Sequence, residues 1–244
     1  SSFQGVLCYS CHEITPLRAL GIDDFLVAYP TMQPTDLAVA WGEHTRGTKL
    51  ALMIDHVDQM EAISHAAPQA GGPMRVCIDV DMSWRILGGA HLGVRRSPIR
   101  RPADLAKLLE ASKRFPRIQI VGLMGYEAQI AGLGDRSRQK RYLNPIKALI
   151  RLLSRGRVAR LREEMKHEFA RAGLALEIFN GGGTGSLNWT TTEAALTALP
   201  AGSDVAFDGF SFFRRKFAVQ ELVHFCFQSI VVHFCLRPLD DYGP

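Results

Sequence analysis

At 244 residues, 47% of them hydrophobic and 22% charged, the chain is long enough for one large domain or two small ones and apolar enough to bury a core. The net charge of +5 comes without a basic stripe interleaved with aromatics, which argues against a nucleic-acid binder, and no apolar run is long enough to span a bilayer. With no signal peptide visible at Ser1, the expected compartment is the cytosol. The basic runs, Arg95 to Arg101 and Arg136 to Arg171, read as solvated helix faces or loops.

The first predicted element is a strand, "GVLCY" from Gly5, and "LRALG" follows as a helix ending on Gly21, a C′ glycine. Strands are predicted again at "DFLVAYP" from Asp24, "KLALMID" from Lys49 and "RVCIDVD" from Arg75. "RPADLAKLLEASKRF" has helical spacing: Pro102 opens it, and Leu105, Leu108 and Leu109 form one apolar stripe. The strand "IQIVGLMGY" from Ile118 comes next. A helix then starts at "NPIKALIRLL" and runs on to about Ala172, where Gly173 ends it. "LALEIFN" from Leu174 and, more weakly, "SDVAFDGF" from Ser203 complete the series.

These strand segments do not alternate polar and apolar residues. Near-continuous apolar runs belong to strands covered on both faces, as in a parallel sheet. Serial strand–helix units without an early G-x-G-x-x-G favour an α/β fold of the (β/α)8 TIM type over an open sheet. The number of units falls one short, and the chain opens almost directly on a strand. The expected fold is therefore a barrel lacking its first strand–helix unit. Such a gap would expose two strand edges, which predicts poor solubility or pairing with another chain, a homodimer included.

The cysteines offer competing readings. Cys8, Cys11 and His12 spell C-x-x-C-H, the spacing of c-type haem attachment, and a redox or zinc pair is a further option. The setting "GVLCYSCHE" favours a buried strand running into a loop. His224, Cys226, His233 and Cys235 form two H-x-C pairs inside "LVHFCFQSIVVHFCL", an almost wholly apolar stretch that suits buried strands or a buried helix better than zinc.

In barrels of this kind chemistry collects where the strands end. Those ends supply Tyr9, Tyr29, Asp55, Asp79, Asp81, Tyr126 and Asn180. Singly, each has a structural reading: tyrosines cap a core with a wet hydroxyl, and a strand-end aspartate caps the next helix. After Asn180 the sequence reads "GGGTGS". Glycines let a backbone approach an anion and present N–H groups to it, and a helix N-terminus beyond adds positive potential. A late barrel strand is where a phosphate is expected. Ala201-Gly202-Ser203 offers a second, weaker contact, and the alternative for the main loop is a glycine-rich turn with no ligand.

"GVLCYSCHE", "DFLVAYP", "LALMID", "VCIDVDMSWRILGGAHLGVRRSP", "VGLMGYEAQIAG" and "FNGGGTGS", in this order, resemble the pyridoxal-phosphate enzymes of the alanine racemase-like barrel class. Within it the resemblance is to the D-threonine aldolase and D-serine dehydratase branch, often labelled amino acid deaminase/aldolase. It covers roughly Phe3 to Phe210, which gives a partial cofactor barrel over 1–210 and a divergent tail over 211–244.

The resemblance implies pyridoxal 5′-phosphate held as a Schiff base by a lysine at the end of the first barrel strand, and a small amino acid as substrate. It implies that Gly182, Gly183 and Thr184 cradle the phosphate with Gly202 and Ser203 assisting. Tyr126 would lie beside the ring, and His91 would stand where relatives often carry an arginine near the phenolic oxygen. Asp79 and Asp81 would line the fifth strand. Two departures accompany it. Lys49 opens its strand, at the wrong end of the barrel, and Lys107, Lys113, Lys140, Lys147, Lys166 and Lys216 fall on helical or irregular stretches, so the Schiff-base lysine is expected upstream of Ser1. The carboxyl-terminal β domain, where this branch carries a divalent metal, has no clear match, and the site predicted within the chain has no metal. Two alternatives remain open: a barrel that holds pyridoxal phosphate or another phosphate without a covalent bond, and a sugar-phosphate barrel enzyme using Asp79 and Asp81 as acid and base.

Overall fold

The computed structural model describes residues 5–85, 91–127, 144–181, 195–201 and 232–236. Strands and helices alternate. Strand β1 (Gly5–Cys8) runs through a 3-10 turn (Cys11–Glu13) into α1 (Ile14–Ala19), then β2 (Asp24–Val27), α2 (Pro34–Thr45), β3 (Lys49–Ile54), α3 (Val57–His65) and β4 (Met74–Asp79). A short antiparallel ribbon, β5 (Trp84–Arg85) and β6 (His91–Leu92), precedes α4 (Pro102–Ser112) and β7 (Ile118–Gly125). The long α5 (Asn144–Arg171) leads to β8 (Ile178–Gly181), β9 (Ala198–Ala201) and β10 (Val232–Leu236).

The strands form a closed barrel in the order β1-β10-β9-β8-β7-β4-β3-β2. Seven of the eight are parallel, from β1 round to β9. The eighth, β10, is antiparallel to both neighbours, with Val6 opposite His233 and Leu199 opposite Cys235. The position expected to be vacant beside β1 is thus filled from the carboxyl-terminal stretch, and the two open edges predicted from sequence are paired.

Local sequence accounts for most element ends. Pro102 occupies the first turn of α4, where its missing N–H costs nothing, and the Asp104 side chain accepts from the Arg101 backbone. Leu105, Leu108 and Leu109 are buried. The expected terminal glycines after α1 and α5, Gly21 and Gly173, take φ of +88° and +75°. The last strand expected from sequence, at Ser203, lies outside the described residues, and the strand actually described there is β9, earlier in the chain.

Two apolar layers follow from strand alternation, with a register shift between β4 and β7 at Val76/Cys77 that lets Val121 and Met124 share a layer. Leu26, Met53, Cys77, Val121, Met124 and Ile178 fill the barrel interior, while Phe25, Leu50, Val76, Ile78 and Leu123 pack outward beneath the helices. Cys8, Cys11 and Cys77 are buried free thiols, and burial pushes Cys8 and Cys11 up to about 12. His12 points elsewhere and pairs with Asp36 at 3.1 Å. Cys235 and His233 fall in β10, while His224 and Cys226 lie outside the described residues. Among the described residues no helix is long and apolar enough to cross a membrane, and no cluster of three or more His, Cys, Asp or Glu could hold a metal ion.

Two basic residues contradict the reading of the Arg-rich runs as wholly solvated. Arg162, on α5, is 0% exposed: it reaches the Glu127 carboxylate and donates to the Gly125 carbonyl at 2.7 Å. Arg96 is 16% exposed and crosses the barrel mouth. Arg162 turns inward from a long helix packed on the barrel and Arg96 from the loop after β6, and each enters where a carboxylate receives it.

Candidate active site

The inward-facing residue at each strand end follows from pleat parity. Asp79 on β4, Met124 on β7 and Asn180 on β8 are in register, so the three side chains sit side by side at the top of the barrel interior. Asp79 is 2% exposed and Asn180 1%. Asn180 donates its side-chain N–H to the Met124 sulfur at 3.3 Å. Among the described residues, neither Asp79 Oδ1 nor Asn180 Oδ1 has a hydrogen-bond partner. Two buried acceptor oxygens near the strand ends are thus left without a donor among the described residues.

Arg96 supplies the cation. Its Nε donates to Asp79 Oδ2 at 3.1 Å and its Nη2 to the Ala28 carbonyl, at the end of β2, at 3.2 Å. The guanidinium carbon lies 5.4 Å from the Tyr29 ring centroid and 5.8 Å from that of Tyr126, within cation–π range of both. Tyr9 stacks on Tyr29 with centroids 5.7 Å apart. One arginine thus joins the ends of β2, β4 and β7. Burial raises the Asp79 carboxyl to about 6, opposed by Arg96 and reinforced by the charges of Asp55 and Asp81. Burial, with Glu127 next to it, also holds the Tyr126 phenol above its ordinary value, so it remains a proton donor at neutral pH.

The other strand-end residues have structural tasks. Asp81 accepts from the Ser83 backbone at 2.8 Å and from Arg100 Nε at 3.0 Å, so both carboxylate oxygens are committed. Asp55 accepts from Gln59 Nε2 at 2.7 Å at the start of α3. Neither aspartate caps the next helix as expected, since His56 is the N-cap of α3, but both are engaged in local structure. They leave Tyr9, Tyr29, Asp79, Tyr126 and Asn180 as the predicted strand-end residues gathered around Arg96 and the end of β8.

Gly182, Gly183, Thr184, Gly202 and Ser203 lie outside the described residues; the described strands β8 and β9 end on Gly181 and Ala201, immediately before them. His91 sits in β6, paired with Arg85, and its backbone alone is described. Lys49 opens β3 at the foot of the barrel and binds Asp24 at 2.6 Å. Lys107 and Lys166 are on α4 and α5, so no lysine stands at a strand end facing the mouth among the described residues. Arg96 was not singled out from sequence, because it stands inside "GVRRSPIR", where nothing local separates it from its solvated neighbour Arg95.

This architecture agrees with comparisons to known proteins. The chain matches the family described as alanine racemase, N-terminal domain, over residues 2–179, and it belongs to that family. It is 25% identical over 206 residues to a D-threonine aldolase of an Arthrobacter species, covering 84% of this chain and 48% of that protein. It is 21% identical over 199 residues to the 3-hydroxy-D-aspartate aldolase of Paracoccus denitrificans, covering 82% of this chain and 46% of that one. The crystal structure of D-threonine aldolase from Filomicrobium marinum superposes with a TM-score of 0.66 at 20% identity, covering 82% of this chain and 48% of that chain. The chain therefore spans about half the length of the curated relatives it matches.

Proposed function

We propose that this chain is the pyridoxal-phosphate-binding barrel of a lyase, aldolase or racemase acting on small D-amino or β-hydroxy amino acids. The observation that carries the reading is the tyrosine-walled floor at the barrel mouth, with Asp79 Oδ1 and Asn180 Oδ1 as unsatisfied buried acceptors. That floor suits a planar, polar heteroaromatic ring. Membership of the family and the names of the relatives supply the substrate class.

In this reading the backbone N–H groups of Gly182, Gly183 and Thr184 hold the phosphate, Gly202 and Ser203 assist, and Tyr126 walls the ring. His91 donates a hydrogen bond toward the phenolic oxygen. When bound, pyridoxal phosphate supplies an electron sink that lets a bond at the substrate Cα break. Tyr126 remains protonated beside the ring, and Asp79 exchanges a proton in the neutral range. The committed oxygens of Asp81 count against the acid–base pair of a sugar-phosphate enzyme. In solution, pairing with a second copy is the proposed assembly, and neither nucleic acid nor a membrane is a proposed partner.

The test adds pyridoxal phosphate to the purified chain, then D-threonine, D-serine and alanine in turn. No lysine faces the mouth among the described residues. The chain assayed alone should therefore bind the cofactor reversibly, lose the visible absorbance on dialysis, and turn over no faster than free cofactor. Fixed positioning is worth on the order of 7–11 kcal/mol of a barrier in the best cases, and a loosely held cofactor forfeits most of it. Gly183→Trp should abolish affinity for the phosphate ester. Unchanged affinity in that variant, or no binding by the parent chain, would overturn the proposal. A band that survives dialysis, with turnover above free cofactor, would show that a lysine of this chain reaches the mouth.

A further inference from the structure

Arg96 is held in a way that its structural contacts do not use up. Nε is tied to Asp79 and Nη2 to the Ala28 carbonyl, while Nη1 has no partner among the described residues. The rings of Tyr29 and Tyr126 flank the guanidinium, which fixes its plane. Such a group is oriented in advance: its remaining N–H donors need no reorganisation to meet a planar anion. Its counter-ion is a poor match, since Asp79 keeps one oxygen without a donor.

We propose that Arg96 is a carboxylate-binding residue, which receives the α-carboxylate of an amino acid at the barrel mouth in competition with Asp79. The choice of an amino acid rests on the proposed function; the anion site itself rests on the geometry. Two carboxylates then share one guanidinium. Asp79 is faced by Arg96 from the loop after β6, by Asp55 from the end of β3 and by Asp81 beyond its own strand. Cys77 lies two residues before it on β4, and Tyr126 and Glu127 are the titratable groups at the same end of neighbouring β7. An incoming anion favours the protonated form of Asp79, so binding takes up a proton. The proton joins Asp79, its hydrogen bond to Arg96 weakens, and the ligand carboxylate takes the vacated donor. Because that carboxyl sits at about 6, affinity should rise as pH falls from 8 toward 5.5.

The experiment is calorimetric titration of the full chain, without cofactor, with acetate and with D-alanine as probes. The parent chain should bind both saturably, with proton uptake shown by titration in buffers of different ionisation enthalpy. Arg96→Met and Arg96→Lys should each weaken binding roughly tenfold or more, the equivalent of one charge-assisted hydrogen bond. Lysine keeps the charge without the fork geometry, so its loss separates orientation from charge. Asp79→Asn removes the competitor: at pH 8 it should bind roughly tenfold tighter, with the pH dependence flattened. Parent-like affinity in either Arg96 variant, or an unchanged pH profile in Asp79→Asn, overturns the proposal. Binding of acetate but not D-alanine would keep the anion site and reject the amino acid. Cofactor is absent throughout, so failure here is distinct from failure to bind pyridoxal phosphate.

Discussion

Replacing Gly122 by alanine tests how closely the barrel wall is built. Gly122 on β7 lies opposite Ile178 on β8, and an added Cβ would stand 2.2 Å from the Ile178 carbonyl oxygen and 2.8 Å from the Ile178 Cβ. Ordinary contact begins at 3.4 Å, so the two atoms must separate by 1.2 Å (3.4 minus 2.2), and the obstructing atom is backbone, which cannot rotate away. Strands about 4.8 Å apart that open by that much lose the local ladder hydrogen bond. Overpacking costs about 1–3 kcal/mol and a lost hydrogen bond about 1 kcal/mol, giving roughly 3 kcal/mol together. For a chain of this size that lowers Tm by about 6–12 °C. Gly156, exposed on α5, is the control: nothing lies within 4 Å of its added Cβ, and a helical Gly→Ala change should stabilise by about 0.5–1 kcal/mol. Thermal and urea unfolding of both variants should move in opposite directions. Gly122→Ala within about 0.5 kcal/mol of the parent, the range of neutral surface changes, would mean that β7 and β8 accommodate the methyl without parting.

The Asp79 carboxyl binds its proton more tightly in the folded chain than in the unfolded one, so stability should fall as pH rises from about 4 through about 6. Urea midpoints across that window should show the fall, at about 1.4 kcal/mol per unit of raised pKa as an upper bound. Asp79→Asn should remove it, and superimposable profiles would contradict this assignment. The thiols of Cys8, Cys11 and Cys77 should resist alkylation in the native chain and react once it is unfolded, as peptide mass mapping would reveal; rapid native labelling of Cys8 would mean that β1 is not covered as described. Trp41→Phe removes the donor to the Ile63 carbonyl at 2.9 Å in a buried site, and should cost about 1–3 kcal/mol by urea unfolding. A smaller loss would place that carbonyl within reach of water.

The parallel barrel wall is legible in the residues alone, because strands covered on both faces must be apolar throughout, and "KLALMID" and "VCIDVD" have no polar face to offer water. So are the ends of α1, α4 and α5, through Gly21, Pro102 and Gly173, whose backbone preferences are local. Pleat parity was enough to place Asp79, Tyr126 and Asn180 at the strand ends. Only the tertiary structure decided which of the polar residues there share a site. Asp81 and Asp79 look alike in "CIDVDMS", yet one is consumed by Ser83 and Arg100 and the other is left with an open oxygen. Arg96 and Arg162 read as members of solvated basic runs, yet Arg96 is mostly covered and Arg162 buried because Asp79 and Glu127, distant in the chain, are brought against them. The apolar stretch holding β10 reads as buried strand or helix, but its antiparallel pairing with β1, at the other end of the chain, leaves no local signature.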